Sequence, residues 1–232
     1  ICFLICFMNT KERVVPQQSE HKKNIYKDLL SLGKNTQFLM IFGVAFFLLI
    51  LVAMRGAVAP FYVTYFLGRE ELVSIFISAG MIASFLGALS TNLLSQYFCK
   101  VKLFKWGAYG IIIFHAVVYF FSADQIELIF IFMMLAQFCQ MITVPLMFSM
   151  VADTADFGES VTGDKTMAMS YATHLLAIKL GLAVGGALVG WLLSYYGYIA
   201  NVAQTEKALN GIVFIFSIAP TLCGFAVLLC IW

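Results

Sequence analysis

The sequence predicts an all-α, polytopic membrane protein, and three observations decide it. The chain of 232 residues is 62% hydrophobic and only 11% charged, with a mean hydropathy of +0.94, far more apolar than a water-soluble domain of this length needs. Six apolar runs reach the roughly 20 residues that a helix needs to cross about 30 Å of hydrocarbon. The short alternating segments of a transmembrane barrel are absent from the sequence.

The opening "ICFLICFM" (1–8) has no initiating Met, no basic region before its apolar run and no small-residue cleavage site, so it reads as the end of a preceding transmembrane helix rather than a secretory signal. The chain is accordingly expected to be a fragment. Residues 9–36 carry Lys11, Arg13, Lys22, Lys23, Lys27 and Lys34 and read as a cytoplasmic central loop. Within it Ile25, Leu29 and Leu32 share one helical face, as in an amphipathic helix lying on an anionic leaflet; a solvated linker is the other reading. The six-helix bundle then fills 37–232, with spans at 37–67, 72–98, 104–122, 126–151, 168–196 and 209–232.

Loop charges orient the bundle. Residues 9–36, the loop around Lys100, Lys102 and Lys105, and the loop around Lys165 fall on one side of the membrane, with ten basic residues. The opposite side has Arg69 and Lys207 alone. By the positive-inside rule the first side is cytoplasmic. The remaining two cations, Arg55 and Lys179, lie inside apolar runs. Each costs about 3 kcal/mol there even on lenient insertion scales, so each is expected to face a cavity or a carboxylate.

Other polar residues recur at membrane depth. His115 and His174 read either as histidines hydrogen-bonded between helices or as ligand or proton sites. Gln137, Gln140 and Thr143 form a stripe on the fourth span that could bind hydroxyl groups in a cavity or simply join helices. Gly181, Gly185, Gly186 and Gly190 make two overlapping small-xxx-small patterns, expected to build a close helix interface and bind nothing. Gly56/Pro60 and Pro145 are expected to loosen the backbone near midspan.

The chemistry of an enzyme finds little support. Ser170 and His174 are four residues apart with no third group in view, and Asp153 and Asp156 sit at a helix end in a solvated loop. The six cysteines make no CxxC or Cys/His cluster, so no metal site or resident cofactor is expected. Nucleic-acid, phosphate-loop and zinc signatures are also absent from the sequence, and no nucleic-acid partner is expected.

Four stretches carry a family resemblance: "MVADTADFGE" (150–159), the lysine of "LLAIKLG" (175–181), "GGALVGWLL" (185–193) and "YGYIANVAQTEKALNGI" (196–212). Together they closely resemble the C-terminal half of the glycoside–pentoside–hexuronide:cation symporters, the melibiose-permease family of the major facilitator superfamily. "TKERV" (10–14) is similar to the start of that family's central loop, and "RGAVAPFYVTYFLG" (55–68) to its seventh helix. The resemblance implies helices seven to twelve of a fold of two six-helix bundles, with the tail of helix six. It implies as partner the N-terminal six-helix half, whose carboxylates bind the coupling Na⁺ or H⁺, and as substrate a small sugar or glycoside moved by alternating access. A cell membrane, specifically a bacterial inner membrane, is the expected location. Lys179 matches the family lysine beside the cation site.

Two departures bear on specificity. Val144 stands where melibiose permeases proper have an aromatic lining the sugar site, and His174-Leu175 stands where they have Gln-Thr. The substrate cavity is therefore expected to draw on Arg55, Gln137, Gln140, Thr143, Val144 and His174. A related carrier of a lysolipid or sulfonated sugar, and a non-transporting sensor or scaffold, stand as alternatives. Asp153, Asp156 and Glu159 recur at three-residue steps at the cytoplasmic mouth; they are expected to form gate salt bridges with Lys100, Lys102, Lys105 and basic loops of the other half, a solvated acidic loop being the alternative.

Overall fold

The structure of the chain, a computed structural model, describes residues 7–8, 33, 35–162 and 167–232. The expected amphipathic helix of 9–36, Lys165 and the side chain of Glu159 lie outside the described residues. Among the described residues the regular structure is helical throughout, and six helical spans are long and apolar enough to cross a membrane.

Helix α1 (Thr36–Phe61) starts at Asn35, whose side-chain oxygen accepts from the Phe38 N–H at 3.1 Å and satisfies one of the free donors of the first turn. It runs through Pro60 into a π turn, Tyr62–Phe66. One 3-10 turn (Glu70–Leu72) leads into α2 (Val73–Tyr97), followed by α3 (Lys100–Val118), α4 (Ile126–Thr162) and α5 (Met167–Tyr195). The last span is composite: α6 (Glu206–Val213), a second π turn (Phe214–Ile218) and α7 (Ala219–Cys230). Tyr62 and Phe216, one from each π turn, stack with ring centroids 4.0 Å apart, so the two widened turns meet face to face.

The third and fourth spans depart most from the sequence expectation. The third span begins at Lys100 rather than 104 and holds 19 residues, about 28 Å at the helical rise; a lysine tolerates such a terminus because its stem reaches outward to the interface. The fourth helix does not stop near 151 but continues to Thr162, so Asp153 and Asp156 lie on helix rather than in a loop. Pro145 does not interrupt that helix. A proline weakens the carbonyl ladder behind it, and here the Thr91 hydroxyl of α2, which also bonds the Gly87 carbonyl at 3.0 Å, reaches the Ile142 carbonyl at 3.4 Å.

Packing centres on two helices. α1 lies along α5, α7 and part of α4, while α4 is held between α2 and α3. Glycines set both approaches. A Cβ on Gly181 would stand 2.5 Å from the Phe46 carbonyl oxygen, and one on Gly185 would stand 2.7 Å from the Ala53 Cβ. Gly186 and Gly190 do not share this role: both are exposed and nothing lies within 4 Å of where a Cβ would be. The four glycines thus divide between two faces of α5, because adjacent positions on a helix point about 100° apart.

A second glycine contact goes unremarked in the sequence reading. Gly87 of α2 lies against the Phe138 carbonyl of α4, and Cβ atoms on Gly107 and Gly110 of α3 would come within 2.7 Å of the Thr143 Cγ2 and 2.5 Å of the Cys139 Sγ. The outer faces carry large apolar side chains, among them Met81, Phe85, Leu89 and Leu93 of α2, all more than half exposed. Such a surface suits lipid rather than water.

The connection after α5 is tied down by side chains. Gly197 and Asn201 take positive φ, 78° and 60°. The Gln204 amide donates to the Ile199 and Val202 carbonyls at 2.6 and 2.8 Å. The Tyr198 hydroxyl donates to the Tyr65 oxygen at 3.3 Å; burial, then this neighbouring phenol, push the Tyr198 phenol up to about 12.

Candidate functional site

A partly open cavity of about 230 Å³ lies between α1, α2 and α4. α1 contributes Arg55, Gly56 and Ala59; α2 contributes Phe76, Ile77, Ala79, Gly80 and Met81; and α4 contributes Phe130, Met133, Met134 and Gln137. These positions recur at three- and four-residue steps, so one face of each helix turns inward. Phe76 and Phe130 meet edge to face, with centroids 4.8 Å apart, and close one wall. Gly80 leaves room for the Gln137 amide, whose Nε2 lies 3.3 Å from the position a Cβ would take.

The polar content is sparse and specific. Arg55 has a buried Nε with no hydrogen-bond partner, and it makes no ion pair among the described residues. A guanidinium in apolar surroundings exerts a stronger field than one in water, because little screens it. The arrangement offers a fork of donors and one amide to a solute that carries acceptors.

Of the residues expected to line a substrate cavity, Arg55 and Gln137 are brought together and the other four are not. The Thr143 hydroxyl donates to the Gln140 carbonyl at 2.6 Å, and both side chains are buried. Val144 packs against the buried core around Leu146 and Met147. His174 is fully buried on α5, its ring edge-on to Phe148 at 5.3 Å, and neither ring nitrogen has a hydrogen-bond partner among the described residues. Ser170, one turn earlier, is equally buried with its hydroxyl unpartnered, so the two do not form a nucleophile–base pair. His115 is buried on α3 with its Nδ1 2.9 Å from the Ile111 carbonyl.

Lys179 does not face the cavity. It is exposed on α5 and makes no ion pair among the described residues. Asp153 is bonded to another lysine. The Lys100 Nζ reaches its two carboxylate oxygens at 3.0 and 2.9 Å, with both side chains about half exposed.

Among the described residues, the other expected gate lysines pair with no acid. Lys102 sits 5.3 Å over the Trp106 ring, and Lys105 sits 4.4 Å over the Trp232 ring. Cation–π contact suits a lysine at a membrane interface, where the ring belongs and a carboxylate partner is not required. Asp156 is exposed and makes no ion pair among the described residues. Among the described residues, the expected cluster reduces to one bridge joining the start of α3 to α4.

Sequence reasoning missed Gly80, Phe76, Met133 and Met134 as cavity residues. The signal for Gly80 was available: Gly80, Ala83, Gly87 and Thr91 form a buried small-residue stripe along α2. Phe and Met in a span carry no such signal, since lipid and cavity walls accept them equally.

The model of the family described as MFS/sugar transport protein matches residues 1–232. The chain is 30% identical to the inner membrane symporter YicJ of Escherichia coli (strain K12) over 219 residues, 94% of this chain and 47% of that protein. It is 31% identical to the uncharacterized symporter YnaJ of Bacillus subtilis (strain 168), over 94% of this chain and 48% of that protein. It is 27% identical to the glucuronide carrier protein homolog of Escherichia coli (strain K12), over 98% of this chain and 49% of that protein. The chain spans about half the length of the curated relatives it matches.

Proposed function

Because this chain belongs to the MFS/sugar transport protein family, we propose that it forms the C-terminal six-helix half of a cation-coupled symporter for a sugar or glycoside. One observation carries the reading: two cations within membrane spans, Arg55 and Lys179, make no ion pair among the described residues. Charges at that depth are costly unless matched, so their counter-charges belong to a partner bundle or to bound solutes. An N-terminal six-helix half supplies the first and an acceptor-rich sugar the second. The names of relatives, two symporters and a glucuronide carrier homolog, support the same class of activity.

In this mechanism the N-terminal half holds the carboxylates that bind Na⁺ or H⁺. Lys179 stands against them from α5 and competes with the cation for their charge, so cation binding and the state of the seam between halves are linked. Sugar binds between the halves, with Arg55 and Gln137 on this side. Rocking of one half against the other exposes the site to each face of the membrane in turn. The end bearing Lys100 faces the cytoplasm, as do residues 9–36. There the Lys100–Asp153 bridge fastens α3 to α4, leaving Asp156 and Glu159 to meet basic loops of the other half when the cytoplasmic side is shut. The cation is cargo, and no resident cofactor is proposed. The multi-pass chain resides in a cell membrane, with a bacterial inner membrane the specific proposal.

Uptake by the full-length protein tests the reading through Lys179→Ala. Expression is expected to stay intact while cation-coupled uptake falls; wild-type coupling in the variant would remove Lys179 from the mechanism.

A further inference from the structure

We infer that the cavity between α1, α2 and α4 is an anion subsite, in which Arg55 holds the carboxylate or sulfonate of an acidic sugar. This rests on the transport reading above and deepens it. Arg55 lines the cavity, and its buried Nε has no hydrogen-bond partner among the described residues. The acidic side chains whose surroundings are described, namely Glu70, Glu71, Asp124, Glu127, Asp153, Asp156 and Glu206, all lie at the ends of spans or in loops. None of them reaches Arg55.

Charge and shape select the ligand. A neutral sugar can accept hydrogen bonds from the guanidinium but leaves its charge unmatched, whereas an oxyanion matches both fork and charge. Apolar walls of Phe76, Met133 and Met134 strengthen that preference by lowering the local dielectric. Gln137, from the α4 wall, adds a neutral donor and acceptor for an adjacent hydroxyl. The volume, about 230 Å³, is below the roughly 300–1,000 Å³ of pockets that enclose whole drug-sized ligands. It therefore takes the acidic end of a glycoside, with the rest lying in the space between the two halves.

The test is equilibrium binding to the purified full-length carrier of three methyl glycosides that differ only at C6: the glucoside, the glucuronide and the 6-sulfo analogue. Wild type is expected to bind at least one acidic glycoside about tenfold or more tighter than the neutral one, as a charge-assisted contact gives. Which acidic ligand binds tighter assigns carboxylate or sulfonate. Arg55→Gln is expected to remove the preference by weakening the acidic ligand alone, and Arg55→Lys, which keeps charge without the fork, to retain part of it. Equal binding of all three by wild type, or preference for the neutral glycoside, overturns the anion subsite and leaves the transport reading standing. Equal weakening of acidic and neutral ligands in Arg55→Gln also overturns it, since Arg55 would then serve the fold or an acid of the other half. Should that variant not fold, the wild-type preference and Arg55→Lys decide. Binding of none of the three removes both readings.

Discussion

Thr91 shows how much a single hydroxyl can do in a membrane bundle. Its contact with the Ile142 carbonyl ties α2 to α4 one residue beyond the Met141 carbonyl that Pro145 cannot serve. Thr91→Val is expected to lower the stability of the full-length protein by about 1 kcal/mol, read from its thermal midpoint in detergent; an unchanged midpoint would mean that the contact carries nothing. At this scale charge was the legible signal. Arg55 and Lys179 stand out in apolar runs because hydropathy makes them anomalous. The polar stripe Gln137, Gln140 and Thr143 was visible too, but not its division. Each three-residue step falls about 60° short of a full turn, so the stripe winds away from the cavity: Gln137 remains on it, while Thr143 turns back to bond the α4 backbone.

The glycines of α5 make the corresponding case for an element. Their spacing announces close approach but not which of two faces is approached, and the partner of the second face is not in the chain described. The distinction is testable. Gly181→Val would press a side chain against the Phe46 carbonyl and is expected to destabilise the protein by about 1–3 kcal/mol. Gly186→Val, in open space within this chain, is expected to leave the melting temperature of the full-length protein within a degree or two of wild type while reducing uptake, if that face meets the proposed N-terminal half. If both variants melt alike, the division of α5 into two faces is wrong. Helix ends were the least legible feature: no Pro or Gly interrupts Val151–Phe157, so nothing stops α4 where the hydrophobic run stops, and the acids ride on the continuing helix.

For the molecule as a whole, the fold class followed from hydropathy, and six spans were countable because each comes close to or exceeds the roughly 30 Å of hydrocarbon. The site was only partly legible, since a cavity depends on how three helices cross and crossing angles leave little trace in one sequence. The cytoplasmic rim gives a conformational test. The Lys100–Asp153 pair is half exposed and contributes about 0–1 kcal/mol to stability, yet it joins α3 to α4 at the end expected to close. Neutralising Asp153 and Asp156 together is expected to shift the carrier toward the inward-facing state, seen as greater labelling of single cysteines placed along the cytoplasmic half of the cavity. Unchanged labelling would remove the gate.

The central claim is cation-coupled sugar transport by a protein of which this chain forms one half. Its most direct test is uptake by the full-length protein reconstituted in liposomes, with a panel of neutral and acidic sugars and with Na⁺ and pH gradients imposed separately. Saturable accumulation of at least one sugar, driven by one of the two gradients and abolished by its collapse, is the expected result. No accumulation of any sugar under either gradient, from protein that is folded and inserted, would contradict the account.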